Sequence, residues 1–418
     1  MLSVSRLLNG TVSEGDILRY GRSSQRGPAH LLHFSADKRP VVAWNITGQC
    51  NLTCMHCYAS ATRKPFDGEL TTAECYKVLD DLAAFRVPSV LFSGGEPLMR
   101  PELFEFADYA RKLGLRTVLS TNGTLIDNAV ALRIRDAGFS YVGISFDGTE
   151  PTHDKIRGMR GAFTASLGAI RSLREVGVRT GLRFTVHAKN RQDLPAIFDL
   201  VEEEQIPRIC VYHLGYAGRG GRISSFDLTA EETREVVDEI FERCGDFHRR
   251  GLDHEILTVG NHTDNAYLYL MVQKRDPERA AELRQLLEWN GGNQSGIAIA
   301  SISPRGTVHA DQFSWDYSLG SVRDRSFGEI WEDTTHPRMA ILKDRSTYLP
   351  GRCRGCRFLA MCNGNLRSRA EYATGDFLGM DPSCYLTDAE IGPRSGAPRS
   401  TGEAEAKHPP RVVPREPG

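Results

Sequence analysis

The stretch QCNLTCMHC, from Gln49 to Cys57, sets Cys50, Cys54 and Cys57 at C-x3-C-x2-C spacing. Thiolates are soft ligands that suit zinc or iron–sulfur clusters. A closed tetrahedral site takes four ligands, and this loop supplies three. Three cysteines on a four-iron cluster leave one iron free for a substrate or cofactor. Catalytic metal sites in general keep such an open position, while structural sites are closed. The spacing is tighter than zinc patterns and differs from ferredoxin spacings.

A second group, Cys353, Cys356 and Cys362, has C-x2-C-x5-C spacing, and Cys384 follows in DPSCY. Four ligands close a site, so spacing alone leaves structural zinc open here. Cys75, Cys210 and Cys244 stand apart among apolar or helical neighbours and read as ordinary buried small side chains. In a reducing cytosol, clustered cysteines point to metal or redox chemistry rather than disulfides.

The elements that must hold these groups alternate between strand and helix. Strand-like runs are VVAWNIT (Val41 to Thr47), SVLFS (Ser89 to Ser93), LRTVLS (Leu115 to Ser120), YVGISF (Tyr141 to Phe146), RTGLRFTV (Arg179 to Val186) and RICVYHL (Arg208 to Leu214). Amphipathic helical stretches lie between them, which implies a parallel sheet with helices packed outside. Six βα units are too few for a closed eight-fold barrel. An α/β partial (β/α)6 barrel is the first expectation and a flat doubly wound sheet the second. In either, chemistry belongs at the C-terminal strand ends, where the first cysteine group begins. After Leu214, GYAGRGGR (Gly215 to Arg222) reads as a mobile loop, and helices are expected over Thr229 to Arg249 and Asp276 to Trp289. The expected divisions are an N-terminal extension (1–39), the barrel (40–225), a helical connection (226–300), a cysteine-rich extension (301–391) and a disordered tail (392–418).

The chain has 418 residues and balanced charge, 52 Lys plus Arg against 53 Asp plus Glu. That marks neither a nucleic-acid binder nor an acidic scaffold. No apolar run approaches the ~20 residues that span a bilayer. The first residues lack the pattern of a secretory signal, so a soluble cytoplasmic protein is expected.

CNLTCMHC resembles the C-x3-C-x-aromatic-C signature of radical S-adenosylmethionine (SAM) enzymes, with His56 as the ring residue. SGGEP (Ser93 to Pro97), STNGT (Ser120 to Thr124) and GISFDG (Gly143 to Gly148) fall where that family has its motifs after successive strands. The resemblance covers Val41 to Leu214. It implies that the open iron of a 4Fe-4S cluster binds the amino and carboxylate groups of SAM, which is cleaved to a 5′-deoxyadenosyl radical. His56, Gly94, Gly95, Glu96, Pro97, Asn122, Ser145 and Asp147 are then expected around the cofactor. The glycines would let backbone approach it, Glu96 would accept from its ammonium, and Asn122, Ser145 and Asp147 would bond its ribose or methionine part. Turn chemistry is the plainer reading of the Asn-Gly and Asp-Gly pairs. The second cysteine group resembles the SPASM or twitch auxiliary-cluster extension, implying a second 4Fe-4S cluster. The full extension has two such clusters; here Asp311, in GTVHADQF, and Asn365, in CNGN, stand where cysteines are usual. One auxiliary cluster is expected, with Asp311 either a ligand, a substrate contact or a solvated loop carboxylate.

The segments GTVSEGDILRYGR, LTVGNHTDNAYLYL, WNGGNQSGIAIA and DPSCYLTDAEIG resemble the tetrapyrrole-modifying radical enzymes of alternative haem and haem d1 synthesis, above all the 12,18-didecarboxysirohaem deacetylases. This implies removal of two acetate side chains to give Fe-coproporphyrin III, with a ferredoxin or flavodoxin as electron donor. The alternative is alteration of propionate side chains on the same substrate, as in haem d1 synthesis. A flat iron macrocycle with several carboxylates suits arginine forks. Arg183, Arg219 and Arg222 sit on or after late strands, and His213 at a strand end could touch the iron; solvated loop arginines and a satisfied structural histidine are the plainer readings. A peptide substrate, or a cluster-carrying scaffold with no activity, are the competing classes.

Overall fold

The computed structural model describes residues 1–12 and 39–392. The tail expected to be disordered lies outside the described residues from 393 onward, as does most of the GTVSEGDILRYGR segment. One sheet organises the rest. Its strands are β1 (Leu2–Ser3), β2 (Val41–Asn45), β3 (Ser89–Ser93), β4 (Arg116–Thr121), β5 (Val142–Ser145), β6 (Thr180–Val186), β7 (Arg208–His213), β8 (Glu255–Val259), β9 (Ile299–Ile302), β10 (Thr307–His309) and β11 (Gly320–Ser321). Their order is β1-β8-β7-β6-β5-β4-β3-β2-β9-β10-β11. The sheet is mixed and not closed, an open α/β fold around the six expected βα units.

The six expected strands, β2 to β7, pair in parallel in chain order. Their near-continuous apolar character follows from burial on both faces. Local signals start the intervening helices where the sequence suggests. Thr71 and Glu74 form a capping box on the helix Thr72–Ala84, and Asp127 caps Asn128–Asp136 by accepting from the Val130 N–H.

The parallel run does not stop at β7. β8 adds beside β7, and β9 adds in parallel beside β2. Both come from segments beyond 225, so the expected helical connection and cysteine-rich extension share the barrel's sheet. The N-terminal extension does so too, since Leu2 and Ser3 pair antiparallel with Thr258 and Leu257 on β8. These edge strands are two to five residues long, too short for pattern reading to separate from loop.

Candidate active site

Period-two alternation and the strand register place Ser120, Gly143, Ser145, Arg183, Thr185, Cys210 and Tyr212 on one face of the sheet. That face is the barrel interior. At its C-terminal end a cavity is lined by Cys50, Cys54 and Cys57 together with Gly94, Gly95, Asn122, Ser145, Arg183 and Tyr212. Residues scattered from Cys50 to Tyr212 therefore meet at one place.

The cysteine loop is held by backbone. Gly95 N–H donates to the Thr47 carbonyl at 2.7 Å and Glu96 N–H to Gln49 at 2.8 Å. A Cβ on Gly94 would lie 2.7 Å from the Thr47 oxygen, and one on Gly95 2.2 Å from that of Gln49. The two glycines thus permit contact with the cysteine loop itself, and both also line the cavity where the cofactor is expected. Arg219 braces the same loop, donating from Nε to the Cys54 carbonyl and from Nη1 to the Ala61 carbonyl, both at 2.8 Å. The expected mobile loop around it is a short helix, Arg219–Arg222, tied down by those bonds.

Two acidic residues expected at the cofactor are spent elsewhere. Glu96 is fully buried; Oε1 accepts from Thr121 Oγ1 and the Leu98 N–H, and Oε2 from the Asn122 N–H. Burial raises its carboxyl to about 7 against those hydrogen bonds. Asp147 is fully buried as well; Oδ2 meets His56 Nε2 at 2.8 Å and Arg157 Nε at 2.6 Å, while Oδ1 accepts from the Thr185 N–H. Burial would raise Asp147, but Arg157 and His56 outweigh it and hold the carboxyl well below the usual range. Neither side chain lines the cavity, nor does Pro97, which starts a short 3-10 turn. Asn122 lines it with its amide engaged by Asn51 and Thr124. Ser145 lines it with a hydroxyl that has no hydrogen-bond partner among the described residues.

Arg157 was not visible as a site residue in the sequence. It lines the cavity, pairs with Asp147 and donates from Nη1 to Cys54 Sγ at 3.6 Å. Tyr58, Tyr212, Gln312 and Phe313 also line the cavity and were missed. Tyr58 sits edge-on to Phe313, with ring centroids 5.7 Å apart. Asp311 explains the placement of Phe313. It is buried, bonds Ser295, and accepts from the Phe313 N–H and Ser314 Oγ, forming the turn that aims Gln312 and Phe313 inward. It lines neither cysteine cavity, which corrects its reading as ligand or substrate contact.

His213, at the end of β7, also borders the cavity of the first cysteine group, but its imidazole is engaged by an acidic neighbour. Its Nε2 meets Asp264 Oδ2 at 3.0 Å, and Tyr385 Oη donates to Asp264 Oδ1 at 2.8 Å. That bond occupies Nε2 and favours the structural reading of His213 over an iron contact. Arg222 is exposed, outside the cavity lining.

The four later cysteines, Cys353, Cys356, Cys362 and Cys384, line one separate cavity. Asn365 also lines it, held at φ 58° with its amide bonded to Asn261 and to the His262 N–H. Its side chain fastens the loop before the helix Thr263–Arg275 and is not left over for a metal. Cys75, Cys210 and Cys244 are buried singly.

Both thiol sets suit the groups the motifs imply. Burial pushes Cys50 up to about 12 and raises Cys54 and Cys362. Such thiols ionise when a metal replaces the proton. Among the described residues no three His, Cys, Asp or Glu side chains converge as for a single ion. A cubane asks for a different arrangement, one thiolate per iron around a shared cavity, and the first loop offers three and the second four.

The Radical SAM superfamily model matches residues 44–201. An Fe-coproporphyrin III synthase of Methanosarcina barkeri is 53% identical over 94% of this chain and 99% of its own length. The chain belongs to the radical SAM superfamily. It is a radical SAM enzyme. A pre-heme d1 synthase of Dinoroseobacter shibae is 40% identical over 87% of this chain and 90% of its own. An AdoMet-dependent heme synthase of Oleidesulfovibrio alaskensis is 32% identical over 87% and 92%. The fold is that of solved radical SAM structures such as native anSMEcpe with bound AdoMet, with TM-score 0.64, 18% identity, and coverage of 82% of this chain and 93% of that one. Streptococcus suis SuiB bound to precursor peptide SuiA gives TM-score 0.68 at 16% identity, covering 84% and 76%. As in the superfamily generally, a 4Fe-4S cluster and SAM are the cofactors.

Proposed function

We propose that this radical SAM enzyme acts on an iron tetrapyrrole in haem synthesis, removing the two acetate side chains of 12,18-didecarboxysirohaem to give Fe-coproporphyrin III. The observation that carries this is the 53% identity, along nearly the full length of both chains, to an Fe-coproporphyrin III synthase. The cavity supports it. Tyr58, Tyr212 and Phe313 give it an aromatic wall suited to a flat macrocycle, and Arg183 gives it a cation suited to a carboxylate.

Cys50, Cys54 and Cys57 would hold the first cluster, and Cys353, Cys356, Cys362 and Cys384 an auxiliary 4Fe-4S cluster. When bound, the first cluster and SAM would supply a one-electron cleavage that yields a hydrogen-abstracting radical. The chain's own part is to fix the geometry. Gly94, Gly95 and Arg219 hold the cysteine loop, Arg157 donates to Cys54, and the aromatic wall excludes water. Four thiols in the second cavity leave no open ligand position, which suits electron relay from a ferredoxin or flavodoxin rather than substrate binding.

Anaerobic incubation with didecarboxysirohaem, SAM and a reductant tests the reading. Mass loss matching two acetate groups is the expected result. Product with altered propionates would place the chain with the pre-heme d1 synthases instead, and no change to the tetrapyrrole would sink the proposal.

A further inference from the structure

Three arginines line the cavity, and two are spent. Arg157 is paired with Asp147, and Arg219 donates to two backbone carbonyls. Arg183 is different. It rises from the middle of β6, leans across Gly143 on β5 and donates from Nη1 to Ser120 Oγ on β4. No Asp or Glu pairs with it among the described residues. Its remaining exposure is to the cavity it lines.

The surroundings do not neutralise it. Tyr212, Tyr141, Tyr58 and the thiol of Cys210 face it, and burial pushes Tyr212 up to about 12 and raises the other two tyrosines, so the three phenols are uncharged at pH 7. A guanidinium sunk in a barrel without a counter-charge is costly unless something anionic completes it. The strand beneath is cut to fit: a Cβ on Gly143 would lie 2.3 Å from Arg183 Nε. The backbone of Gly143 is ordinary extended strand, so the glycine serves the space over which the guanidinium lies.

We propose that Arg183 is a carboxylate-binding site at the floor of the barrel, taking a side-chain carboxylate of the substrate. This rests on the tetrapyrrole reading above. In that reading the amino and carboxylate groups of SAM go to the open iron, which leaves Arg183 to the substrate. Its planar fork offers two parallel donors to a carboxylate, a geometry that lysine does not reproduce. A side chain entering the lumen would be fixed at its acid end and held still for hydrogen abstraction beside it.

The test uses the anaerobically reconstituted protein and its Arg183→Gln, Arg183→Lys and Gly143→Ala variants. Didecarboxysirohaem binding is followed by its visible absorbance and SAM binding by equilibrium dialysis. Arg183→Gln should bind the tetrapyrrole at least about 30-fold more weakly, with SAM affinity within about two-fold. Arg183→Lys should fall between, and Gly143→Ala, which keeps the charge but displaces it, should weaken the tetrapyrrole too. Unchanged tetrapyrrole binding in Arg183→Gln, or loss of SAM binding instead, overturns the proposal. A second arm does not depend on the identity of the substrate. Propionate should raise the melting temperature of the wild type more than chloride at equal ionic strength, and should not do so in Arg183→Gln. If wild type fails to bind didecarboxysirohaem yet shows this propionate effect, the tetrapyrrole reading fails and the carboxylate site stands. If propionate acts equally on both proteins, the site itself is refuted.

Discussion

A Cβ placed on Gly95 would sit 2.2 Å from the carbonyl oxygen of Gln49, so the glycine-rich turn after β3 is pressed directly onto the cysteine loop after β2. The contact is backbone on backbone, and neither side can yield by rotating a side chain. Gly95→Ala should therefore cost about 1–3 kcal/mol in stability and spread the loop that presents Cys50, Cys54 and Cys57. Thermal unfolding and iron content of the anaerobically purified variant measure both. Full iron content at unchanged melting temperature would show that the packing is not what holds the loop.

The two cysteine groups should separate by function. The wild type should carry about eight irons, four per cubane. Cys54→Ala should abolish 5′-deoxyadenosine formation, because the open-iron cluster loses a ligand. Cys356→Ala should retain cofactor cleavage while product formation falls, because Cys356 lines a different cavity, the one proposed for the auxiliary cluster. Chromatography of the reaction mixtures and iron analysis read both outcomes. Normal turnover in either variant would remove the role given to that cysteine.

Glu96 gives a pH dependence. Burial raises its carboxyl to about 7, above the ordinary value of ~4.3. The folded state therefore binds more protons than the unfolded chain between those values, and stability falls as pH rises through that window. Between pH 5.5 and 7.5 the wild type should lose ~2 kcal/mol relative to Glu96→Gln. Urea midpoints under nitrogen, taken across that range, provide the measurement, and parallel curves for the two proteins would contradict the assignment.

Arg219 and Arg222 lie three residues apart and should behave oppositely. Arg219 donates to the carbonyls of Cys54 and Ala61 at 2.8 Å, whereas Arg222 is exposed outside the cavity. Arg219→Ala should lose about 1.5–3 kcal/mol per charged hydrogen bond removed and lower iron retention at the first cluster. Arg222→Ala should stay within about 0.5 kcal/mol of wild type. Calorimetry together with cluster absorbance during dilution distinguishes the pair, and equal effects would mean that the brace is not specific.

The sequence alone determined the parallel core and the motifs that mark the radical SAM superfamily. Long runs such as RTGLRFTV and the helices between them carry a period that survives any packing, and cysteine spacing encodes ligand number directly. Residue types at the motifs were legible, but the partners of those residues were not. Glu96 and Asp147 look alike in sequence to cofactor acceptors, yet burial and the neighbours Thr121, His56 and Arg157 consume their oxygens. Asp311 and Asn365, read as departures from a ligand pattern, turn out to build loops: Asp311 accepts from Phe313 and Ser314 in its own turn and from the distant Ser295, and Asn365 bonds the distant Asn261 and His262. Only the tertiary structure could single out Arg183 from Arg157, Arg219 and Arg222. Whether a guanidinium is paired like Arg157, spent on carbonyls like Arg219, solvated like Arg222 or left facing a cavity like Arg183 depends on the whole surrounding volume, and no local stretch of sequence contains that information.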